Sequence, residues 1–110
     1  MKENLFMSDK DIRKVKRLIT ALHLITDHPM IDSFKYNEGE IIVFMYDNEE
    51  KGYNRCLPIV VDNKGVYYTT EKDHVNGFHL YLDMVSEIAS VMEHIEKIYD
   101  EYELDELLSS

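Results

Sequence analysis

Two segments with the apolar period of an α-helix bracket a stretch that this period cannot describe, and that contrast leaves few architectures open. Near the start, Ile12, Val15, Leu18, Ile19, Leu22 and Ile25 recur at helical spacing. Ser8 stands in an N-cap position with Asp11 three residues on. Asp9 and Asp11 place negative charge in the first turn, where the helix dipole favours it. Pro29 blocks continuation, so the spacing predicts a helix over residues 9–27. Near the end, Val85, Ile88, Met92, Ile95, Tyr99 and Tyr102 alternate steps of three and four, a heptad seam that Met84, Val91 and Ile98 widen. Residues 1–7 read as a flexible arm and residues 104–110 as a frayed tail.

Between the helices the pattern is that of strands. Residues 31–37 form a weak strand that ends at the turn signal Asn37-Glu38-Gly39. Glu40–Tyr46 is an almost continuous apolar run, as expected of a central strand. A turn at residues 48–52 leads to a third strand over Tyr53–Asp62, in which Pro58 removes a backbone donor and argues for an edge position or a bulge. Asn63-Lys64-Gly65 is a hairpin turn before a fourth strand, Val66–Thr70. Residues 71–79 fit either a further hairpin closed by Asn76-Gly77, with Phe78, Leu80 and Leu82 alternating, or entry to the last helix; the helix entry is the preferred reading. The expected fold is α+β: an N-terminal helix, an antiparallel meander of three or four strands and a long C-terminal helix, with both helices on one face of the sheet. Residues 1–110 are read as a single domain, with burial expected at Leu18, Leu22, Ile42, Phe44, Ile59, Val61, Ile88 and Ile95. The last helix is longer than such a sheet needs, so its final turns, Tyr99 to Leu108, are expected to project or to dock on a second copy.

Charge supplies the main functional clue. Residues 1–17 hold six basic and three acidic side chains, 6 − 3 = +3, whereas residues 18–110 hold six basic and nineteen acidic, 6 − 19 = −13. A field of that sign draws basic surfaces and repels free nucleic acid. With 45% hydrophobic residues the chain is not disordered throughout. One cysteine, Cys56, permits no internal disulfide and fits a reducing, cytoplasmic setting. No signal peptide and no membrane span is legible, so no membrane partner is expected.

The candidate contact residues follow from this layout. Glu93, Glu96, Asp100, Glu101 and Glu103 crowd the last helix, and Asp105 and Glu106 extend the series. Asp47, Glu49, Glu50 and Asp62 fall on strand ends and turns. A helix rises about 1.5 Å per residue and DNA carries one charge per roughly 1.7 Å of axis, so spaced carboxylates can imitate part of a phosphate ladder. Ordinary solvation of a helix face explains the same residues. Tyr99 and Tyr102, amid these carboxylates, suit an arginine-rich partner through cation–π contact, although core packing explains them too. Lys10, Arg13, Lys14 and Arg17 form a secondary basic stripe, with Lys16 beside them. It is read either as a face for phosphate or an acidic protein, or as a solvated face paired with the acidic helix.

Other chemistry finds little support. The histidine pairs His23/His28 and His74/His79 are five apart, and His94 stands alone, so none makes a metal pair on a helix face. Cys56 has Arg55 beside it but no nucleophile signature. The four glycines are isolated at turns and form no phosphate loop. No cofactor, metal or enzymatic activity is therefore expected.

In size, acidity, tyrosine content and α+β build, the whole chain resembles the small acidic inhibitors encoded by bacteriophages and mobile elements, including anti-CRISPR proteins and DNA mimics that block restriction enzymes or glycosylases. The resemblance is compositional and rests on no motif, so it carries over no site residue. It implies a non-enzymatic inhibitor that blocks a basic nucleic-acid-binding protein, most specifically a Cas effector nuclease, without binding nucleic acid itself. Two other expectations fit the same residues: an immunity protein for a basic toxin nuclease, and a small homodimeric accessory or chaperone-like protein that uses the apolar seam as its dimer face.

Overall fold

The computed structural model describes residues 8–46, 58–68 and 85–109. Helix α1 runs Asp9–Thr26 and starts where the sequence places it: the Asp11 backbone N–H donates to the Ser8 hydroxyl at 3.1 Å. Four strands follow, β1 (Ile31–Asn37), β2 (Glu40–Met45), β3 (Ile59–Asp62) and β4 (Gly65–Tyr68), then α2 (Val85–Glu101) and a one-turn α3 (Leu104–Leu107). The strands pair antiparallel in the order β1-β2-β3-β4. The fold is the α+β meander expected, with both helices on one face of the sheet.

The register decides which side of the run Glu40–Met45 meets the helices. Ile41 opposes Val61 and Val43 opposes Ile59, and Val61 and Ile59 in turn oppose Val66 and Tyr68. These residues form one core with Ala21 and Ile25 of α1, and with Ile88, Val91, Ile95 and Ile98 of α2. Of the residues expected inside, Ile59, Val61, Ile88 and Ile95 lie in this core, and Leu18 and Leu22 pack partly buried at its margin. Ile42 and Phe44 point to the opposite face, where Ile42 is buried alongside Val60 and Phe44 is half-buried. An uninterrupted apolar run identifies a central strand but cannot say which of its faces carries the helices.

Several expectations need correction. β3 is a central strand and not an edge, because Pro58 sits just before its first residue, where a missing N–H costs the ladder nothing. Tyr68 packs against the core, while Tyr67 and Tyr46 are exposed. The helical seam is rotated, so that Val91 and Ile98 line the core centre and Met92, Tyr99 and Tyr102 its margin.

Residues 104–108 pack into the fold. Glu103 adopts a left-handed conformation, φ 52°, which ends α2 and turns the chain into α3. Leu104 and Leu108 are then buried in the core, at 0% and 3% exposure. The turns expected to project or to meet a second copy are thus used within the chain. Their carbonyl at Leu108 passes Gly39, whose φ of +75° and lack of a Cβ (one would sit 3.2 Å from that oxygen) admit the approach. The arm 1–7, the segment 71–79, and Asp47, Glu49, Glu50, Tyr53 and Cys56 lie outside the described residues.

Candidate functional site

Because Ile88, Val91, Ile95 and Ile98 turn one side of α2 to the sheet, the other side is fixed as its solvent face. Glu93, Glu96 and Asp100 occupy that face at i, i+3 and i+7, all exposed, over about 10 Å of helix axis. Glu101 is exposed on the flank, and Asp105 and Glu106 are exposed on α3 just beyond it. The structure therefore gathers most of the predicted carboxylates at one end of the molecule. Glu103 is withdrawn from the set: its carboxylate lies 3.3 Å from the Arg17 guanidinium.

This end runs against a local rule. A helix C-terminus carries partial negative charge and favours cations, yet the last turn of α2 has Asp100 and Glu101 and no basic residue of its own. The missing cation comes from α1. Arg17 donates to the Tyr102 carbonyl at 2.9 Å as well as to Glu103. The service is mutual: His94 of α2 sets its Nε2 2.9 Å from the Leu24 carbonyl and 3.2 Å from that of Ile25, at the end of α1. With two carbonyl acceptors before it, that nitrogen carries the proton. Each helix thus has its orphan carbonyls met by a basic side chain of the other, which runs antiparallel to it.

Tyr99 and Tyr102 are placed for packing. Both lean on the core, and the Tyr99 hydroxyl donates to the Asp62 carbonyl at 2.7 Å. Burial, followed by the charges of Asp105, Asp62 and Asp100, pushes the Tyr99 phenol above its ordinary value and keeps it a donor. The Asp62 carboxylate in turn accepts from the Lys64 N–H at 2.8 Å and the Tyr67 hydroxyl at 2.6 Å, closing the β3–β4 turn. The basic stripe divides likewise. Lys10, Arg13 and Lys14 are exposed on α1, while Arg17 is committed to the α2 terminus.

His28 and His94 meet with ring centroids 4.9 Å apart, a pairing that sequence spacing did not suggest. His28 Nδ1 accepts from the Met30 N–H at 3.1 Å, a role open only to an unprotonated nitrogen. Burial first, and then the charge of His94, lowers the His28 pKa from 6.5. Among the described residues no group of three His, Cys, Asp or Glu is placed to hold a metal ion. No helix among them is long and apolar enough to cross a membrane.

A second surface went unseen in the sequence, which treats the apolar positions of α1 as one stripe. Leu18, Ala21, Leu22 and Ile25 face the core, but Ile12, Val15 and Ile19 remain exposed, Ile19 beside Phe34 of β1. Neither a family model, nor a curated protein, nor a solved structure matches this chain.

Proposed function

We propose that this chain is a non-enzymatic inhibitor whose acidic end docks on a basic surface of a nucleic-acid-handling protein and keeps substrate out. The observation that carries the reading is the run of exposed carboxylates Glu93, Glu96, Asp100, Glu101, Asp105 and Glu106 towards and beyond the α2 terminus, where the helix dipole disfavours Asp100 and Glu101 in the last turn and a distant arginine offsets the cost. A local rule broken with its compensation supplied elsewhere is the pattern of a functional surface. The stripe Glu93–Glu96–Asp100 has the sign of a phosphate track, with about 5 Å of axis per charge. A Cas effector nuclease, with its basic channel, is the most specific partner of this class. The cytoplasm is the compartment where such a partner would be met.

Affinity capture with the wild-type chain, followed by binding kinetics, tests the reading. The captured protein should be a nucleic-acid-binding enzyme whose activity falls on addition of the chain. Changing Glu93, Glu96, Asp100 and Glu101 to Lys should slow association by at least about tenfold at low salt, because steering acts mainly on the on-rate. Unchanged inhibition by this variant, with its circular dichroism intact, would reduce the acidic end to a solvated face. Direct binding of the wild-type chain to DNA at physiological salt would defeat the mimicry, since its net charge of −10 should be repelled.

A further inference from the structure

Helix α1 carries more apolar surface than the core absorbs. Ile12, Val15 and Ile19 keep 38%, 41% and 50% of their surface exposed. With Leu22 and Thr26 they step by three, four, three and four, the spacing of a seam between two helices. This flank overhangs β1: a groove of about 290 Å³ opens between Ile19, Leu22, His23 and Thr26 on the helix and Phe34 on the strand. β1 is the first strand of the sheet, and its outer side has no strand partner among the described residues. Residues 32–37 are exposed along its length. An open strand edge is a template for another chain, and here Asp32, Lys35 and the irregularity between Ile31 and Ser33 guard it.

We propose that this side is a two-fold interface with a second copy of the chain. β1 pairs antiparallel with its symmetry mate to give a continuous eight-stranded sheet, and the two α1 helices lie antiparallel over the join along Ile12, Val15, Ile19 and Leu22. One axis normal to the sheet serves both contacts, because residues 27–30 return the chain from α1 directly into β1 and leave both elements on one side.

Coverage and charge favour a second copy as the occupant. An extended peptide laid along β1 would fill the groove but leave Ile12 and Val15 bare, since they sit on turns of α1 exposed all round. A second α1 covers the groove and the overhang together. Antiparallel packing sets Lys10 of one copy beside the last turn of the other α1, where the dipole is negative and Asp27 follows. The acidic face of α2 stays clear, because α2 packs over β4 at the far side of the sheet from the axis. This inference is independent of the proposed inhibition, since its variants leave every residue of the acidic end in place.

Light scattering on the full chain tests it. Wild type should have the mass of two 13.0 kDa chains, and Ile19→Asp should have the mass of one with unchanged circular dichroism. Should Ile19→Asp lose its fold, Val15→Cys/Ile19→Cys in a Cys56→Ser background provides the second measurement. It should cross-link into covalent dimers on mild oxidation, because antiparallel seams set these two positions opposite each other. A wild-type monomer at about 100 μM, a concentration at which even weak specific interfaces form, overturns the proposal. So does a dimer that neither Ile19→Asp separates nor the cysteine pair traps. A monomer that binds a synthetic extended apolar peptide in the groove would overturn it in favour of strand addition by another protein.

Discussion

At the scale of single residues, basic side chains do most of the joining. Arg17 serves the end of α2, and Arg17→Ala should lower stability by about 1 kcal/mol in urea unfolding, the usual worth of a cation at a helix C-terminus. Arg17→Lys should recover only part of it, because an ammonium lacks the fork that meets a carbonyl and a carboxylate together. Glu103 permits a cleaner comparison. Glycine and alanine both forfeit its ion pair, but only glycine accepts φ 52° without strain. Glu103→Gly should therefore be more stable than Glu103→Ala by about 1 kcal/mol; equal stabilities would contradict a left-handed residue there. His28 gives a pH dependence of defined sign. Its folded pKa is lowered by burial and by His94, so the unfolded chain takes up the proton more readily. Stability should fall as pH drops through 6.5 and level off below the folded value. His28→Asn keeps an acceptor for the Met30 N–H without titrating, and its unfolding midpoint should fall less between about pH 7.5 and about pH 5.5. An identical fall in both proteins would assign the dependence to other groups.

At the scale of elements, the tail makes the sharpest prediction. Leu104 is fully buried, so Leu104→Ala should cost about 2–5 kcal/mol, as Ile95→Ala should from the middle of α2. A frayed tail would lose almost nothing at Leu104, and denaturation of the two variants side by side separates the cases. The boundaries of α1, β1 and β2 were legible because Ser8, Pro29 and Gly39 are local signals that act within a turn of themselves. What the sequence could not convey depends on distant partners. Ile42 and Ile41 look alike along the chain and differ only in which face meets a helix forty residues away. The left-handed Glu103 carries no glycine to advertise it, so the heptad seam seemed to run through. The acidic face was readable from the i, i+3, i+7 spacing of Glu93, Glu96 and Asp100. The commitments of Arg17, Tyr99 and His94 were not, because each bonds to a residue at least 37 positions away.

At the scale of the whole molecule, charge and apolar surface are sorted to different sides: carboxylates towards the α2 terminus, and on the other side a bare helix flank and a strand, β1, whose outer side has no strand partner among the described residues. The two sides predict opposite responses to salt. Binding through the acidic end should weaken as salt screens it, whereas self-association through Ile12, Val15 and Ile19 should persist. Titrating sodium chloride in both assays would expose a surface assigned to the wrong role. The mutual capping of the helices also has a meaning in time. The four strands follow one another along the chain, so each can pair with the one before it as soon as it is made. The capping contacts of α1 instead join residues 69 to 86 positions apart. At about 5–20 residues per second, a ribosome holds α1 waiting for seconds before His94 and then Tyr102 emerge. The first helix to be synthesised is therefore among the last to be secured, and until then its apolar sides are open to whatever else the nascent chain meets.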